Sequence, residues 1–167
     1  MFLGNIPNKI PKNKKYFYLY LFFIFQEESN GWVPYKYEIV FNPKPPNPKN
    51  HDFVTILPAP FLQHHYRQLV YVVGDTRNYL TKVDGAEVTE ILKWSRDGHI
   101  YYMSTLPYKP GTRHMFRIKA PMNAGPGKHE PECVTCNRTM LNREECQYHK
   151  IDMSTDGTFM TMICQGM

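Results

Sequence analysis

The chain shows no helical periodicity, has no cysteine before residue 133 and has no apolar run longer than about ten residues. Each absence excludes something. Without apolar residues recurring at intervals of three and four, helical bundles and α/β layers have no helices to be built from. An apolar stretch of ten is about half of what a helix needs to cross a bilayer. The patterns of RNP motifs, zinc fingers and helix-turn-helix units are missing as well. The formal net charge of +5 therefore has no nucleic-acid-binding framework to act through. Lys9, Lys12, Lys14 and Lys15 supply much of the excess, and the other cations are scattered among carboxylates, so no nucleic-acid partner is expected.

What the chain does contain is β-forming. Its 167 residues suit one domain with a sizeable core, and 14 prolines and 14% aromatics separate short runs of Tyr, Val, Ile and Thr. Residues 1–15 are rich in Pro, Asn, Gly and Lys and read as disordered. Tyr16 to Phe25 (YFYLYLFFIF) is similar to the apolar core of a signal sequence, but no small-residue cleavage site follows it. A short signal or anchor, a buried strand, and non-coding sequence read through by a faulty gene model are the three readings, of which the last is preferred for a reason given below.

After Gly31 the pattern becomes regular. Tyr35, Tyr37, Ile39 and Phe41 alternate against Lys36 and Glu38 and predict a strand, and Pro43 to Asn50 predicts an exposed connection. Further strands are expected over 53–57, 68–73, 79–83, 88–94, 99–103, 114–118, 148–153 and 158–164. Ser95-Arg96-Asp97-Gly98 and Ser154-Thr155-Asp156-Gly157 each join two of these strands as hairpin turns, which makes Asp97 and Asp156 turn formers rather than catalytic acids. Strand, turn and strand units recurring at a spacing of about 50 residues predict a β-propeller, whose blades repeat at roughly 40 to 50 residues; a β-sandwich is the plainer alternative.

All four cysteines, Cys133, Cys136, Cys146 and Cys164, fall in the last third. They are either oxidised in pairs or share a metal. Cys133, Cys136, Cys146 and His149 have acceptable zinc spacing, at the cost of leaving Cys164 without a role. The even cysteine count and the N-x-T acceptor at Asn137-Arg138-Thr139 favour disulfides and the secretory pathway. A thioredoxin-like redox reading lacks the helix start that its C-x2-C needs.

Gly31-Trp32-Val33, the Glu87 to Met103 segment, His114 to Ile118, and the ordered series Cys133, Cys136, Arg143, Cys146, Gln147, Tyr148, Cys164 and Gly166 together resemble the dipeptidyl peptidase IV family. The resemblance covers about Glu28 to Gly166, the later blades of that family's extracellular eight-bladed N-terminal propeller. It implies an all-β fold: a partial propeller of about two to three four-stranded antiparallel blades over residues 27–167, preceded by an atypical segment, 1–26. It implies disulfides Cys133–Cys136 and Cys146–Cys164, the second closing a loop of roughly 20 residues worth about 3 kcal/mol in the chain-entropy model.

The resemblance further implies a serine exopeptidase that removes dipeptides after a penultimate proline or alanine, with its Ser, Asp and His in an α/β-hydrolase domain downstream of the propeller. This chain stops at Met167, before that domain, and has no G-x-S-x-G nucleophile elbow. No catalytic residue, cofactor or metal is therefore expected here. The family's Glu pair for the peptide amino terminus lies in an earlier part of the propeller, and Glu27-Glu28 is not in that place. Where the family offers an Arg after Gly-Trp-Val, this chain has Pro34-Tyr35-Lys36-Tyr37. Lys36 is a minor substrate-cavity candidate without Arg's planar geometry, and a solvent-facing strand lysine is the plainer reading.

The partners implied are the remaining blades, the hydrolase domain, peptide substrates and, for the full-length family, a second copy in a homodimer. The implied location is the secretory pathway, ending outside the cell or at its surface as a type II membrane protein. Some members have lost catalysis, so a non-enzymatic extracellular interaction module is the alternative function. Because residues 1–26 lack the family's blade pattern, they are expected to replace the true upstream sequence in a truncated gene model. Blades cut from a closed propeller are expected to be sticky.

Overall fold

Strands whose two alternating side-chain sets are both apolar must be covered on both faces, and that requirement shapes this molecule. The computed structural model describes residues 38–44, 52–59, 65–121, 130–138 and 145–166. The first sheet contains β1 (Val40–Phe41), β2 (Phe53–Pro58), β3 (Arg67–Val73) and β4 (Thr76–Tyr79), paired in that order and antiparallel throughout. The second begins as a meander of β5 (Val88–Trp94), β6 (His99–Leu106), β7 (Lys109–Lys119) and β8 (Glu132–Cys133), again antiparallel. A hairpin of β9 (Tyr148–Met153) and β10 (Met160–Gly166) joins this sheet through one parallel pair, Arg113 with Tyr148.

The described residues contain no α-helix, and neither sheet closes on itself. The chain is thus all-β: two four-stranded antiparallel units and a following hairpin, the arrangement of a partial β-propeller.

Alternation assigns each face. In β2 and β3, Val54, Leu69 and Tyr71 join Val88, Ile91, Trp94, Ile100, Tyr102 and Ile118 in one core between the two sheets. Their neighbours Phe53, Leu57, Val70 and Val72 form a second core on the opposite face of the first sheet. The second sheet does the same: Met103 and Met115, one residue out of step with Tyr102 and Phe116, form a third core with Ile151 of the β9–β10 hairpin. The layers therefore stack as sheet, core, sheet, core, hairpin. At the central core Trp94 meets Tyr71 edge-on, with ring centroids 5.8 Å apart, while Phe116 stacks on Tyr102 at 5.7 Å.

Polar clasps close the same interface. Glu38 accepts the Ile91 N–H at 2.6 Å. The buried Gln68 amide donates to the carbonyls of Ala86 at 2.8 Å and Val83 at 3.3 Å. Lys93 reaches from β5 to the carbonyl of Ser154 at 3.0 Å and also to that of Thr155, tying the meander to the hairpin.

Two strand expectations are corrected and one strand is added. The strand expected over 79–83 lies at Thr76–Tyr79, because Gly74 takes a positive φ of 55° and turns the chain at once, pairing Val73 with Thr76. The chain then leaves the ladder, and the Thr81 hydroxyl accepts the Leu69 N–H at 2.9 Å. The strand expected over 114–118 spans Lys109–Lys119, since a tight turn at Pro107-Tyr108 brings Lys109 opposite Leu106. β8 was not anticipated. The Tyr35 and Tyr37 part of the first strand and the loop over 45–50 lie outside the described residues.

Ile100 is fully buried in the core between the sheets. Ile100→Ala is expected to cost about 2 to 5 kcal/mol, read as a lowered urea midpoint of tryptophan fluorescence at low protein concentration.

Candidate functional site

The chemistry-bearing residues of the last third meet where β7, β8 and β9 converge. β8 pairs with β7 so that Cys133 lies opposite Phe116 and Glu132 opposite Arg117. The chain then curls into a tight ring. Val134 N–H donates to the Met115 carbonyl at 2.8 Å, and the buried Thr135 hydroxyl accepts the Met115 N–H at 3.0 Å. The ring is closed by a disulfide between Cys133 and Cys136, whose Cα atoms are 5.7 Å apart.

A second disulfide, Cys146–Cys164, staples the start of β9 to β10 across a sequence separation of 18. It stands beside a bulge between Cys164 and Gly166. Both pairings are those the family resemblance implies. The four thiols are consumed in these bonds, and this removes the zinc set of Cys133, Cys136, Cys146 and His149. His149 is occupied too, with its Nδ1 3.2 Å from the Arg113 carbonyl.

Between the staples lie two buried imidazoles. His114 of β7 and His149 of β9 are each about 1% exposed, with ring centroids 5.1 Å apart. His114 Nδ1 faces the Thr135 hydroxyl at 3.3 Å, and its Nε2 is buried without a hydrogen bond. Burial, and after it the neighbouring His149, holds the His114 pKa below the ordinary imidazole value, so the ring is neutral at physiological pH. Arg113, next in β7, pairs with Glu90 of β5, lies over the Tyr148 ring at 5.8 Å and donates its N–H to the Gln147 carbonyl at 2.8 Å. One arginine thus ties β5, β7 and β9 together.

The two Ser-x-Asp-Gly turns are built alike. In the first, the Ser95 hydroxyl bonds to Asp97 and to the His99 carbonyl at 2.8 Å, and Gly98 takes a φ of 88°. In the second, Ser154 bonds to Asp156 at 2.6 Å and to the Phe159 carbonyl at 3.1 Å, with Gly157 at a φ of 77°. The second is one residue longer, since its closing partner is five positions from the serine rather than four.

Ser95, Asp97 and His99 have the composition of a catalytic triad but the wrong order. Asp97 sits between the other two, 2.9 Å from His99 Nδ1, and no hydrogen bond connects the serine hydroxyl to the imidazole. Nothing there withdraws the serine proton, so the group makes a turn rather than a nucleophile.

A pocket of about 180 Å³ opens between the two sheets and is lined by Gln68, Thr81, Val88, Tyr102, Ser104 and Phe116 among others. Two of its polar groups are spent on the protein: the Gln68 amide as described above, and the Ser104 hydroxyl on the Glu87 and Thr105 carbonyls at 3.0 and 3.1 Å. Of the residues singled out in the sequence, the four cysteines come together as two pairs, Cys133 with Cys136 and Cys146 with Cys164. Asn137 is exposed on the turn after Cys136, while Thr139 of its acceptor motif and Lys36 lie outside the described residues. The His114–His149 pair was missed, because the two histidines belong to strands joined by a single residue pair and no spacing announces it.

Comparison with known proteins adds the lineage. The family described as "Dipeptidyl peptidase IV (DPP IV) N-terminal region" matches residues 13–167. The chain is similar to "Venom dipeptidyl peptidase 4" of Vespa velutina, with 32% identity over 105 residues. That stretch is 62% of this chain and 13% of the venom protein, so the chain spans a small part of its relative's length.

The hydrogen bond from Ser95 holds the Asp97 carboxyl at about 2, below its ordinary 3.8, with further help from His99 against the opposing effect of burial. A depressed carboxylate contributes stability that is complete above pH about 4 and lost as pH falls toward about 2. Ser95→Ala is expected to raise the Asp97 pKa toward its ordinary value, observed by carboxyl NMR titration. It should also destabilise the turn by about 1 kcal/mol at neutral pH.

Proposed function

This chain belongs to the dipeptidyl peptidase IV N-terminal region family, and from that premise we propose that residues 27–167 are the late-blade part of the propeller of a dipeptidyl peptidase IV-like serine exopeptidase. In this reading the propeller gates and orients small peptides, and catalysis belongs to a hydrolase domain outside these 167 residues. The single observation that carries the reading is the cystine-stapled β9–β10 hairpin stacked on a complete four-stranded unit. Nothing described in the chain pairs a serine with a base. Two disulfides suit an oxidising compartment, consistent with a secreted or extracellular protein.

The exposed apolar residues agree with missing neighbours. Among the described residues β10 pairs only with β9, and Met160, Met162 and Ile163 are 47%, 44% and 52% exposed. In the proposed full-length protein this strand is covered by further propeller strands. Asn137, exposed beside the first disulfide, is the proposed glycan acceptor, and Lys36 is retained as a minor contributor to the substrate cavity.

The purified chain is expected to leave a Gly-Pro reporter substrate unhydrolysed, and turnover that survives repurification would place catalysis within these residues and overturn the assignment. At micromolar concentration the chain is expected to self-associate, and Met162→Lys with Ile163→Lys should shift it toward monomer in sedimentation. After secretion from eukaryotic cells, enzymatic removal of N-glycans should convert Asn137 to Asp in peptide mass spectra. An unmodified Asn137 throughout would remove the glycan from the proposal.

A further inference from the structure

The Cys133–Cys136 disulfide has an unassigned neighbour. One ring nitrogen of His114 and the two sulfurs lie within 4.8 Å of one another, brought together because β8 pairs with β7 one residue beyond the histidine's strand neighbour. A tetrahedral site with zinc–sulfur bonds of about 2.3 Å and zinc–nitrogen bonds of about 2.0 Å has edges of about 3.5 to 3.8 Å. The His114 nitrogen lies within 4.8 Å of both sulfurs, so a contraction of up to about 1 Å and opening of the S–S bond bring the set to that size.

Three further features suit a metal rather than only a staple. The Cys136 N–H donates to Cys133 Sγ at 3.1 Å, an interaction that favours a thiolate there. The imidazole is fixed by the Thr135 hydroxyl, which is itself tied to the Met115 N–H, as the outer partners of metal-bound histidines are. The His114 ring is buried, with its Nε2 lacking any hydrogen bond.

We propose that Cys133, Cys136 and His114 form a redox-gated site: closed as a disulfide when oxidised, and a two-sulfur, one-nitrogen ligand set for a thiophilic divalent cation such as Zn²⁺ when reduced. The reductant is a dithiol. Its two sulfurs form a new S–S bond as the Cys133–Cys136 bond breaks, and its two protons pass to the released thiols. Metal uptake then sends both protons to solvent, because the thiolates and not the thiols are the ligands. His114 binds as the neutral ring, and the fourth position of the ion is left to water. The Cys146–Cys164 bond lies outside this set.

The test reduces the 167-residue chain anaerobically with a water-soluble phosphine, which breaks each S–S bond with water as the oxygen source, and titrates it with Co²⁺ and then Zn²⁺. The expected result is one Co²⁺ per chain, with the visible bands of a tetrahedral ion and cysteinate charge transfer, displaced by Zn²⁺. The oxidised chain should show no such bands. A Cys146→Ala, Cys164→Ala chain should retain the site, Cys133→Ser should lose it, and His114→Gln should weaken it at least about tenfold. Absence of these bands in the reduced chain, equal affinity in the His114→Gln chain, or loss of the β-sheet circular dichroism before metal is taken up would each overturn the proposal.

Discussion

Burial on both faces of the β5–β7 ladder is the constraint on which the rest of this structure depends. Tyr102 and Ile118 look toward the first sheet, and Met103 and Met115 look toward the hairpin. Each fully buried side chain of this kind contributes about 1.5 to 3 kcal/mol, so neither neighbour can be removed without exposing one whole set. The blades are therefore mutually dependent, and the polar clasps at Glu38, Gln68 and Lys93 set the register of surfaces that apolar burial has already brought together.

Much of this was legible in the chain. β2, β3, β5, β6 and β9 announce themselves by apolar residues in both alternation sets or by strict period two. The Ser-x-Asp-Gly turns gave the hairpins and their likeness to each other. What escaped did so for local reasons. The turn before β7 places Tyr108 at a φ of 59°, a conformation that sequence reading assigns to Gly or Asn, so the strand appeared to start later. β8 is two residues long and has no room for an alternation. β4 was shifted because Gly74 both ends one strand and starts the next.

The site was legible in its covalent chemistry and opaque in its tertiary chemistry. The even cysteine count and the N-x-T acceptor favoured disulfides over zinc, family likeness implied the pairing, and the structure shows the pairs. The meeting of His114 with His149, and of His114 with the Cys133–Cys136 ring, depends on how β7 lies against β8 and β9, and no local pattern encodes that. The Ser95, Asp97 and His99 turn carries the opposite lesson. Residue types alone suggest catalysis, and only the order of their hydrogen bonds shows a turn.

The Lys93 clasp bears on how such a molecule can change over evolutionary time. Its ammonium group is held by the main-chain carbonyls of Ser154 and Thr155 rather than by their side chains. Every residue supplies a carbonyl, so the acceptors persist whatever side chains mutation places there, provided the backbone keeps its course. A joint made this way couples two blades while leaving the sequence of one of them free to drift at the point of contact.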